Sequence, residues 1–253
     1  MGKLNSINKY SFLILSAGIN KRFIMKNFDQ PKSLLKIKKS SLIEKILKDL
    51  KNLGVKKINI VVGYKHQLIQ NHIFKLKIKP KVNFIKIKDY RKYGSGYSIF
   101  KFKNEWSKNK KPLIMMHSDI YCDLDYFKDV INSKFKNTIG ITNFNDKKLK
   151  KSFLGVECLK KKIKEINFYH KLTNYFGQIS CINKFSSKTT AEIFKFMEQY
   201  FITNENKKKT WELVINDLIH TQTKSNFFVN KKNYKSWHNV NELNDYLNLK
   251  KVS

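Results

Sequence analysis

The sequence is poor in acidic residues, glycine, proline and cysteine. Its 253 residues include 19 Asp and Glu against 52 Lys and Arg, with nine Gly, three Pro and three Cys. With so little Gly and Pro, the composition excludes a long flexible linker. The three widely spaced cysteines exclude a disulfide framework and favour a reducing compartment, so we expect a cytoplasmic location. No run approaches the ~20 apolar residues that cross a membrane, so no membrane span is expected.

The shortage of acidic residues leaves a formal net charge of +33. A polyanionic partner such as nucleic acid would account for this charge, and so would a lysine-rich composition spread over solvated faces. The lysines are scattered through every predicted element rather than gathered in one tail. We therefore favour the second interpretation and expect no specific nucleic-acid partner, although the positive field should attract small anionic substrates.

Apolar periodicity alternates between strands and helices along the chain. A buried strand is predicted over 10–16, a capping box at Ser41 to Glu44 precedes a helix that ends at Gly54, and a second strand covers 57–64. The alternation continues to 144, after which 152–182 becomes strand-like. Helices near 188–202 and 210–222, a strand at 226–229 and a last helix near Asn241 follow.

This order predicts an α/β fold: a doubly wound, mostly parallel Rossmann-like sheet with a β-hairpin insertion at one edge. We expect the hairpins of 152–182 to cover that edge. In such sheets ligands bind outside the carboxyl ends of the strands.

The first predicted strand leads into a loop of small residues. Small residues let backbone N–H groups approach phosphates closely, and a helix N-terminus after the loop would add further donors. Arg22 and Lys32 then supply positive charge. The loop residues that we single out are Leu15, Ser16, Ala17, Gly18, Asn20 and Arg22, and the pair Pro31-Lys32 follows further along the chain.

Other polar residues lie where later strands end. Asp119 follows an apolar strand, and its carboxylate suits Mg²⁺, which prefers oxygen ligands and bound phosphates. The alternative is an ordinary strand-end Asp that caps the next turn. The segments Gly63-Tyr64 with Gln67, and Gly94-Ser95-Gly96-Tyr97-Ser98, are candidates for the sites of a base and an acceptor, or plain turns before helices.

The loop and the Pro-Lys pair resemble the nucleotidylyltransferase family, whose opening reads roughly L-A-A-G-x-G-x-R followed by P-K. The chain has Leu-Ser-Ala-Gly-Ile-Asn-Lys-Arg at 15–22 and Pro-Lys at 31–32. It differs at Asn20, where the family usually has Gly. Because Asn tolerates a left-handed backbone better than most residues, we expect the turn to be kept.

The resemblance implies roles for these residues in nucleotide binding and catalysis. Arg22 would bind the leaving β- and γ-phosphates, and Lys32 the α-phosphate and the attacking phosphate. Mg²⁺ would be the cofactor. The nucleotide-binding residues would be Leu15, Ser16, Ala17, Gly18, Asn20, Tyr64, Gln67, Gly94 and Ser95.

In that family an Asp at the position of Asp119 holds the metal, with a second carboxylate just before the last helix. Asn241 stands at the second position here. Three accounts are open: Asn241 is a weaker ligand, Glu242 takes over, or Asp119 and the phosphates hold the metal. A helix N-cap is the alternative role of Asn241.

The chain is similar over most of its length to the cytidylyltransferase branch of the family. The resemblance implies an acceptor site formed by Tyr97, Ser98, Trp211 and Glu212, since an aromatic ring beside a carboxylate suits an ammonium group. The alternative is that Trp211 packs in the core and Glu212 is a solvated neighbour.

The implied reaction joins CTP to a phosphorylated small amine or amino acid, such as L-glutamine phosphate or a phosphocholine-like compound. The products are a CDP conjugate and pyrophosphate, used in capsule or surface polysaccharide modification such as phosphoramidate decoration. We expect one nucleotidylyltransferase domain over 1–253, acting as a monomer or homodimer. Its nucleotide-binding core would cover about 8–150 and its acceptor-binding part 151–253.

Two other functions fit the same residues. The first is a sugar-1-phosphate nucleotidylyltransferase that uses UTP, dTTP or GTP. The second is a non-catalytic basic member of the fold that binds a nucleotide or RNA, which the high positive charge and the missing second carboxylate would favour.

Overall fold

The structure is a computed structural model, and it describes residues 7–20, 23, 29–78, 80–143, 153–221, 225–231 and 238–252. The strands, numbered in chain order, are β1 (Ser11–Ser16), β2 (Lys36–Ile37), β3 (Ser40–Ser41), β4 (Lys57–Val62), β5 (Lys81–Lys86), β6 (Leu113–His117), β7 (Ile120–Tyr121), β8 (Thr138–Thr142), β9 (Leu154–Leu159), β10 (Lys162–Phe168), β11 (Gly177–Phe185), β12 (Phe228–Lys231) and β13 (His238–Asn239).

The α-helices of the described residues are α1 (Leu42–Asn52), α2 (His66–Lys75), α3 (Ser95–Ser107), α4 (Leu124–Ile131), α5 (Ser187–Tyr200), α6 (Asn204–Lys207), α7 (Trp211–His220) and α8 (Leu243–Val252). Short 3-10 turns cover Ile7–Lys9, Lys32–Leu34 and Tyr169–Lys171. Within these residues no helix has both the length and the apolar character needed to cross a membrane.

Nine strands form one mixed sheet in the order β5-β4-β1-β6-β11-β8-β12-β10-β9. The first four strands of that order are mutually parallel, and β12 is parallel to β8. Strand β11 runs antiparallel to β6 and β8, and β10 runs antiparallel to β12 and β9. The expected Rossmann-like α/β fold is confirmed, with the β9–β10 hairpin at one edge.

The first βαβ unit follows the sequence closely. Ser41 caps α1: its hydroxyl accepts a hydrogen bond from the Glu44 backbone, and the Glu44 carboxylate accepts one from the Ser41 backbone. Gly54 adopts φ +84° just after the helix, a conformation that suits glycine. The apolar face of α1 packs into the core cluster that includes β1 and β4. The capping box, the helix and its end are confirmed.

Strand β11 differs from the sequence expectation, which placed 177–182 with the hairpins that cover an edge. It lies inside the sheet between β6 and β8, and all nine of its residues are buried. A strand buried on both faces usually has a nearly continuous run of apolar residues. In β11 the buried polar residues Gln178, Ser180 and Asn183 interrupt such a run, so the sequence indicated an edge strand instead. Strands from both halves of the chain thus share one sheet.

Candidate active site

A cavity of about 440 Å³ opens at the carboxyl ends of β1 and β6. The loop after β1, the turn that begins at Pro31, the N-terminus of α3 and the end of β6 surround it. The lining residues are Leu15, Ser16, Ala17, Gly18, Asn20, Pro31, Lys32, Ser33, Tyr90, Tyr93, Gly94, Ser95, Ser98, His117, Ser118, Asp119 and Asn241. The structure therefore brings most of the residues singled out in the sequence to one place.

The small-residue loop is tied to its neighbours by short polar contacts. The Ser16 hydroxyl donates to the Ser33 hydroxyl (3.1 Å), and the Ala17 carbonyl accepts from the Tyr64 backbone N–H (3.2 Å). Asn20 adopts φ +61°, so the expected left-handed turn at this position is confirmed. Its side-chain amide donates to the Gln30 carbonyl (3.0 Å), which ties the loop to the segment that leads to Lys32.

Lys32 and Asp119 form an ion pair on the cavity wall. The Lys32 ammonium contacts Oδ2 of Asp119, and both side chains are largely buried. Burial opposes ionisation of this carboxyl, but the Lys32 ammonium, the neighbouring His117 and hydrogen bonds together hold the pKa of Asp119 below its ordinary value. The other oxygen, Oδ1, is buried and has no hydrogen-bond partner among the described residues. An anionic oxygen is thus available for a further cation.

Backbone hydrogen bonds fix the position of Asp119 and bring Asn241 beside it. The Ser118 N–H donates to the Leu15 carbonyl (3.1 Å), and the Val240 N–H donates to the Asp119 carbonyl (2.9 Å). Asn241 follows directly and lines the cavity, while its own N–H donates to the Asp245 carboxylate (3.0 Å). The C-terminal segment therefore contributes an amide side chain to the Asp119 wall. Glu242 does not line the cavity.

The N-terminus of α3 forms the facing wall. Gly94, Ser95 and Ser98 line the cavity there. The Gly94 N–H donates to the Lys207 carbonyl (2.7 Å), and the Ser95 hydroxyl accepts from the Trp211 N–H (3.0 Å). The segment that leads into α7 thus packs directly on this turn.

Five predicted site residues lie elsewhere. Tyr64 is buried, and its hydroxyl donates to the Asp29 carboxylate, while Gln67 is exposed on α2. Tyr97 is buried against the rings of Tyr93 and Phe201. Trp211 and Glu212 are buried behind the cavity rather than in its lining. Arg22 lies outside the described residues.

Trp211 and Glu212 still contact the residues that form the cavity. The Trp211 indole N–H donates to Nε2 of His117 (2.9 Å). Glu212 lies close to the same ring, and burial raises the pKa of its carboxyl above the ordinary value. Its Oε2 has no hydrogen-bond partner within the described part of the chain. Neither residue lines the cavity, and an acceptor-binding role for the two stays a prediction.

Several lining residues were missed by sequence reasoning. His117 and Ser118 directly precede Asp119 at the same predicted strand end, but only Asp119 was given a role there. Tyr90 and Tyr93 follow the end of β5 in the same way, and they form an aromatic part of the wall. Ser33 had no signal in the sequence beyond its position next to Lys32.

The cavity is much less positive than the chain as a whole. Among the described lining residues, Lys32 is the only Lys or Arg, and its charge is balanced by Asp119. Within the described residues, the lysines that contribute to the net charge of +33 therefore lie mainly outside the cavity. A triphosphate bound here would need further positive charge close to it.

Two glycines of the cavity should respond differently to alanine. A Cβ at Gly94 would collide with the carbonyl oxygens of Lys208 and Lys209, whereas a Cβ at Gly18 would meet nothing within 4 Å. We expect Gly94→Ala to lower the free energy of unfolding by about 1–3 kcal/mol, measured by urea denaturation. Gly18→Ala should change it by less than about 0.5 kcal/mol.

The variants Gly18→Ala and Gly94→Ala also test the position of the small-residue loop beside the cavity. Gly18 lines the cavity, so an added methyl group there should raise the KM for the nucleotide while stability is kept. Equal unfolding midpoints for the two variants, or an unchanged KM in Gly18→Ala, would contradict this geometry.

A family model described as a domain of unknown function (DUF6564) matches residues 32–253. The chain belongs to this family. The match begins at Lys32 and includes Asp119 and Asn241, but not the loop after β1.

Named relatives extend the comparison. CTP:phosphoglutamine cytidylyltransferase of Campylobacter jejuni is 27% identical over 197 residues, which cover 74% of this chain and 77% of that relative. Choline-phosphate cytidylyltransferase of Streptococcus pneumoniae is 22% identical over 240 residues, covering 95% and 96%. A solved CTP:phosphocholine cytidylyltransferase from S. pneumoniae has a TM-score of 0.74 at 20% identity, covering 96% and 98%. The expected relationship to cytidylyltransferases is confirmed, and the chain is an enzyme of the nucleotidyltransferase class.

Proposed function

We propose that this protein transfers CMP from CTP to the phosphate of a small acceptor and releases pyrophosphate. The observation that carries the proposal is the convergence of the small-residue loop, Lys32 and Asp119 on one cavity at the carboxyl ends of β1 and β6. The similarity to two enzymes named as cytidylyltransferases favours CTP over other nucleotides. Such a reaction would place the enzyme in the cytoplasm, where CTP is made.

The cavity has a donor set that fits Mg²⁺. Asp119 offers the unpartnered carboxylate oxygen Oδ1, and Asn241 offers an amide oxygen on the same wall. Mg²⁺ prefers oxygen ligands and often uses one or two protein groups together with substrate phosphates. We propose that Asp119 and Asn241 hold the ion, which would neutralise charge on the phosphates. With Asn in place of a second carboxylate, Asp119 would supply the anionic ligand.

The chemistry requires positioning rather than a general base. A phosphate monoester is already largely dianionic at neutral pH, because its second pKa is about 6. One oxygen of the acceptor phosphate attacks the α-phosphorus of CTP and forms a P–O bond. The bond between the α-phosphorus and the bridging oxygen breaks, and pyrophosphate leaves with that electron pair.

Lys32 and Arg22 would stabilise the charge that develops during this step. Lys32 lines the same cavity as the small-residue loop and contacts Asp119, and its ammonium would turn from the carboxylate to the α-phosphate. Arg22, outside the described residues, would bind the departing pyrophosphate, as its place in the motif suggests. Together with the metal, these groups would supply the positive charge that the described cavity wall lacks.

The acceptor is proposed to be a phosphorylated amine or amino acid. The relative named CTP:phosphoglutamine cytidylyltransferase supports L-glutamine phosphate, and the one named choline-phosphate cytidylyltransferase supports a phosphocholine-like compound. Ser98 lines the cavity and would contact the acceptor directly. A role in surface polysaccharide modification is part of the proposal and follows from the resemblance alone.

A matrix of substrates tests the proposal. Pyrophosphate release would be measured with Mg²⁺ for CTP, UTP, GTP, dTTP and ATP, each combined with L-glutamine phosphate, phosphocholine, 2-aminoethylphosphonate and glucose 1-phosphate. Release with CTP and one amino-bearing acceptor is expected. Release only with glucose 1-phosphate would make the protein a sugar-1-phosphate nucleotidylyltransferase. No release from the folded protein would overturn the proposed reaction for these acceptors.

A further inference from the structure

His117 is held by a buried tryptophan on one side and faces Asp119 on the other. The Trp211 indole nitrogen lies 2.9 Å from His117 Nε2, and His117 Nδ1 lies 3.8 Å from Asp119 Oδ1. Trp211 is fully buried, and its own backbone N–H is fixed by the Ser95 hydroxyl. The indole is therefore a rigid donor whose target is the imidazole ring.

This contact determines where the imidazole proton resides. An indole nitrogen can only donate, so Nε2 of His117 must present its lone pair to it. A neutral imidazole then carries its proton on Nδ1. The Nδ1–H group faces Oδ1 of Asp119, the buried oxygen that has no hydrogen-bond partner within the described residues.

The same contact excludes His117 as a ligand in a nearby cluster. Ligand atoms of His117, Cys181 and Glu212 lie within 4.8 Å of one another, a spacing that would suit a soft metal ion. With Nε2 engaged by Trp211 and the proton on Nδ1, the ring has no lone pair left to offer. The ring is therefore set to donate toward Asp119 rather than to bind a cation.

We infer that His117 is a positioning residue for Asp119, and that Trp211 fixes it in the Nδ1–H tautomer. This inference rests on the proposed function, in which Asp119 holds the metal. Lys32 contacts one carboxylate oxygen and His117 faces the other, so the two residues restrain the carboxylate from both sides. The separation of 3.8 Å exceeds a hydrogen bond, and such contacts often tighten only when a ligand is bound.

Groups that orient a metal ligand commonly change metal affinity by about 10–100-fold when they are replaced. Two substitutions test the roles of the two ring nitrogens of His117 separately. In His117→Asn the side-chain amide reproduces the Nδ1 donor toward Asp119, whereas in His117→Gln it reproduces the Nε2 position toward Trp211.

The first measurement is independent of catalysis. Nitrogen-15 NMR of the histidine ring in the full-length protein should show a protonated Nδ1 and an unprotonated Nε2 for His117. Trp211→Phe should abolish this preference, and Trp106→Phe is the matched control. Trp106 is also buried and donates its indole N–H, but to the Lys111 carbonyl. A protonated Nε2 in the wild-type protein would overturn the inference, whether or not the protein transfers CMP.

The second measurement is Mn²⁺ binding, followed by electron paramagnetic resonance in the presence of CTP and without acceptor. We expect the Kd for Mn²⁺ to rise about tenfold or more in His117→Gln and to stay within about threefold of wild type in His117→Asn. A merely structural role would weaken both variants in proportion to their loss of thermal stability. Equal Mn²⁺ affinity in wild type and His117→Gln would refute the positioning role while leaving the proposed reaction intact.

Discussion

Replacing Asp119 with asparagine is expected to lower the rate of pyrophosphate release by about a thousandfold or more. Asparagine keeps the shape of the side chain but removes the negative charge that we propose holds the metal ion. The substitution also leaves the Lys32 ammonium without the carboxylate that it contacts in the structure. Both effects act on the phosphates during transfer, so the loss should appear in kcat as well as in the apparent metal affinity.

Asp125→Asn is the matched control for Asp119→Asn. Asp125 lies six residues further along the chain, is largely exposed, and forms a surface ion pair with Lys128. It should retain wild-type activity, and both variants should be checked by thermal unfolding. If folded Asp119→Asn kept more than about a tenth of the wild-type rate, the proposed metal site would be wrong, because a metal contributes several kcal/mol.

Lys32→Met is expected to reduce kcat by about 10²–10³-fold, the usual effect of removing one charged or hydrogen-bonding group that stabilises a transition state. Methionine keeps much of the aliphatic stem but cannot contact the α-phosphate. Lys32 is the only Lys or Arg among the described residues that line the cavity, so none of those residues can replace it. The rate would be measured at saturating CTP and acceptor.

Lys36→Met separates this specific effect from the loss of one positive charge among many. Lys36 is exposed on β2, close to Lys32 in sequence but absent from the cavity lining. It should leave the rate unchanged. A rate loss in Lys32→Met no greater than in Lys36→Met would show that Lys32 acts only through the general field.

The double variant Asp119→Asn/Lys32→Met tests whether the ion pair acts as a unit. Residues that act together in catalysis give strongly non-additive losses. We expect the double variant to be about as slow as Asp119→Asn alone. A loss equal to the product of the two single effects would indicate independent roles.

Local signals in the sequence were sufficient for the parallel half of the fold. The capping box at Ser41, the glycine at 54 and the apolar runs on either side specify the first βαβ unit. The left-handed turn at Asn20 was also predictable, because Asn tolerates that conformation better than most residues. Since strand ends locate ligand sites in such sheets, the small-residue loop and Asp119 were found from the sequence pattern, whereas the Pro-Lys motif pointed to Lys32 and the family resemblance to Asn241.

Contacts between residues far apart in the chain could not be predicted from the sequence. Strand β11 runs between β6 and β8, yet its apolar pattern carries no information about which strands it pairs with. The contact between His117 and Trp211 joins residues 94 positions apart, and its effect depends on one indole hydrogen bond. Trp211 was singled out as an aromatic wall for an ammonium group, whereas the structure places it behind the cavity.

The most direct test of the central claim is phosphorus NMR of the product formed from CTP, L-glutamine phosphate and Mg²⁺. The account predicts two coupled resonances of a CDP conjugate together with equimolar pyrophosphate, and no product when EDTA replaces the metal or when the enzyme is Asp119→Asn. Phosphocholine in place of glutamine phosphate would refine the acceptor. Undiminished product formation with Asp119→Asn, or hydrolysis of CTP without transfer to any phosphorylated acceptor, would contradict the claim that this cavity joins CMP to a phosphate ester.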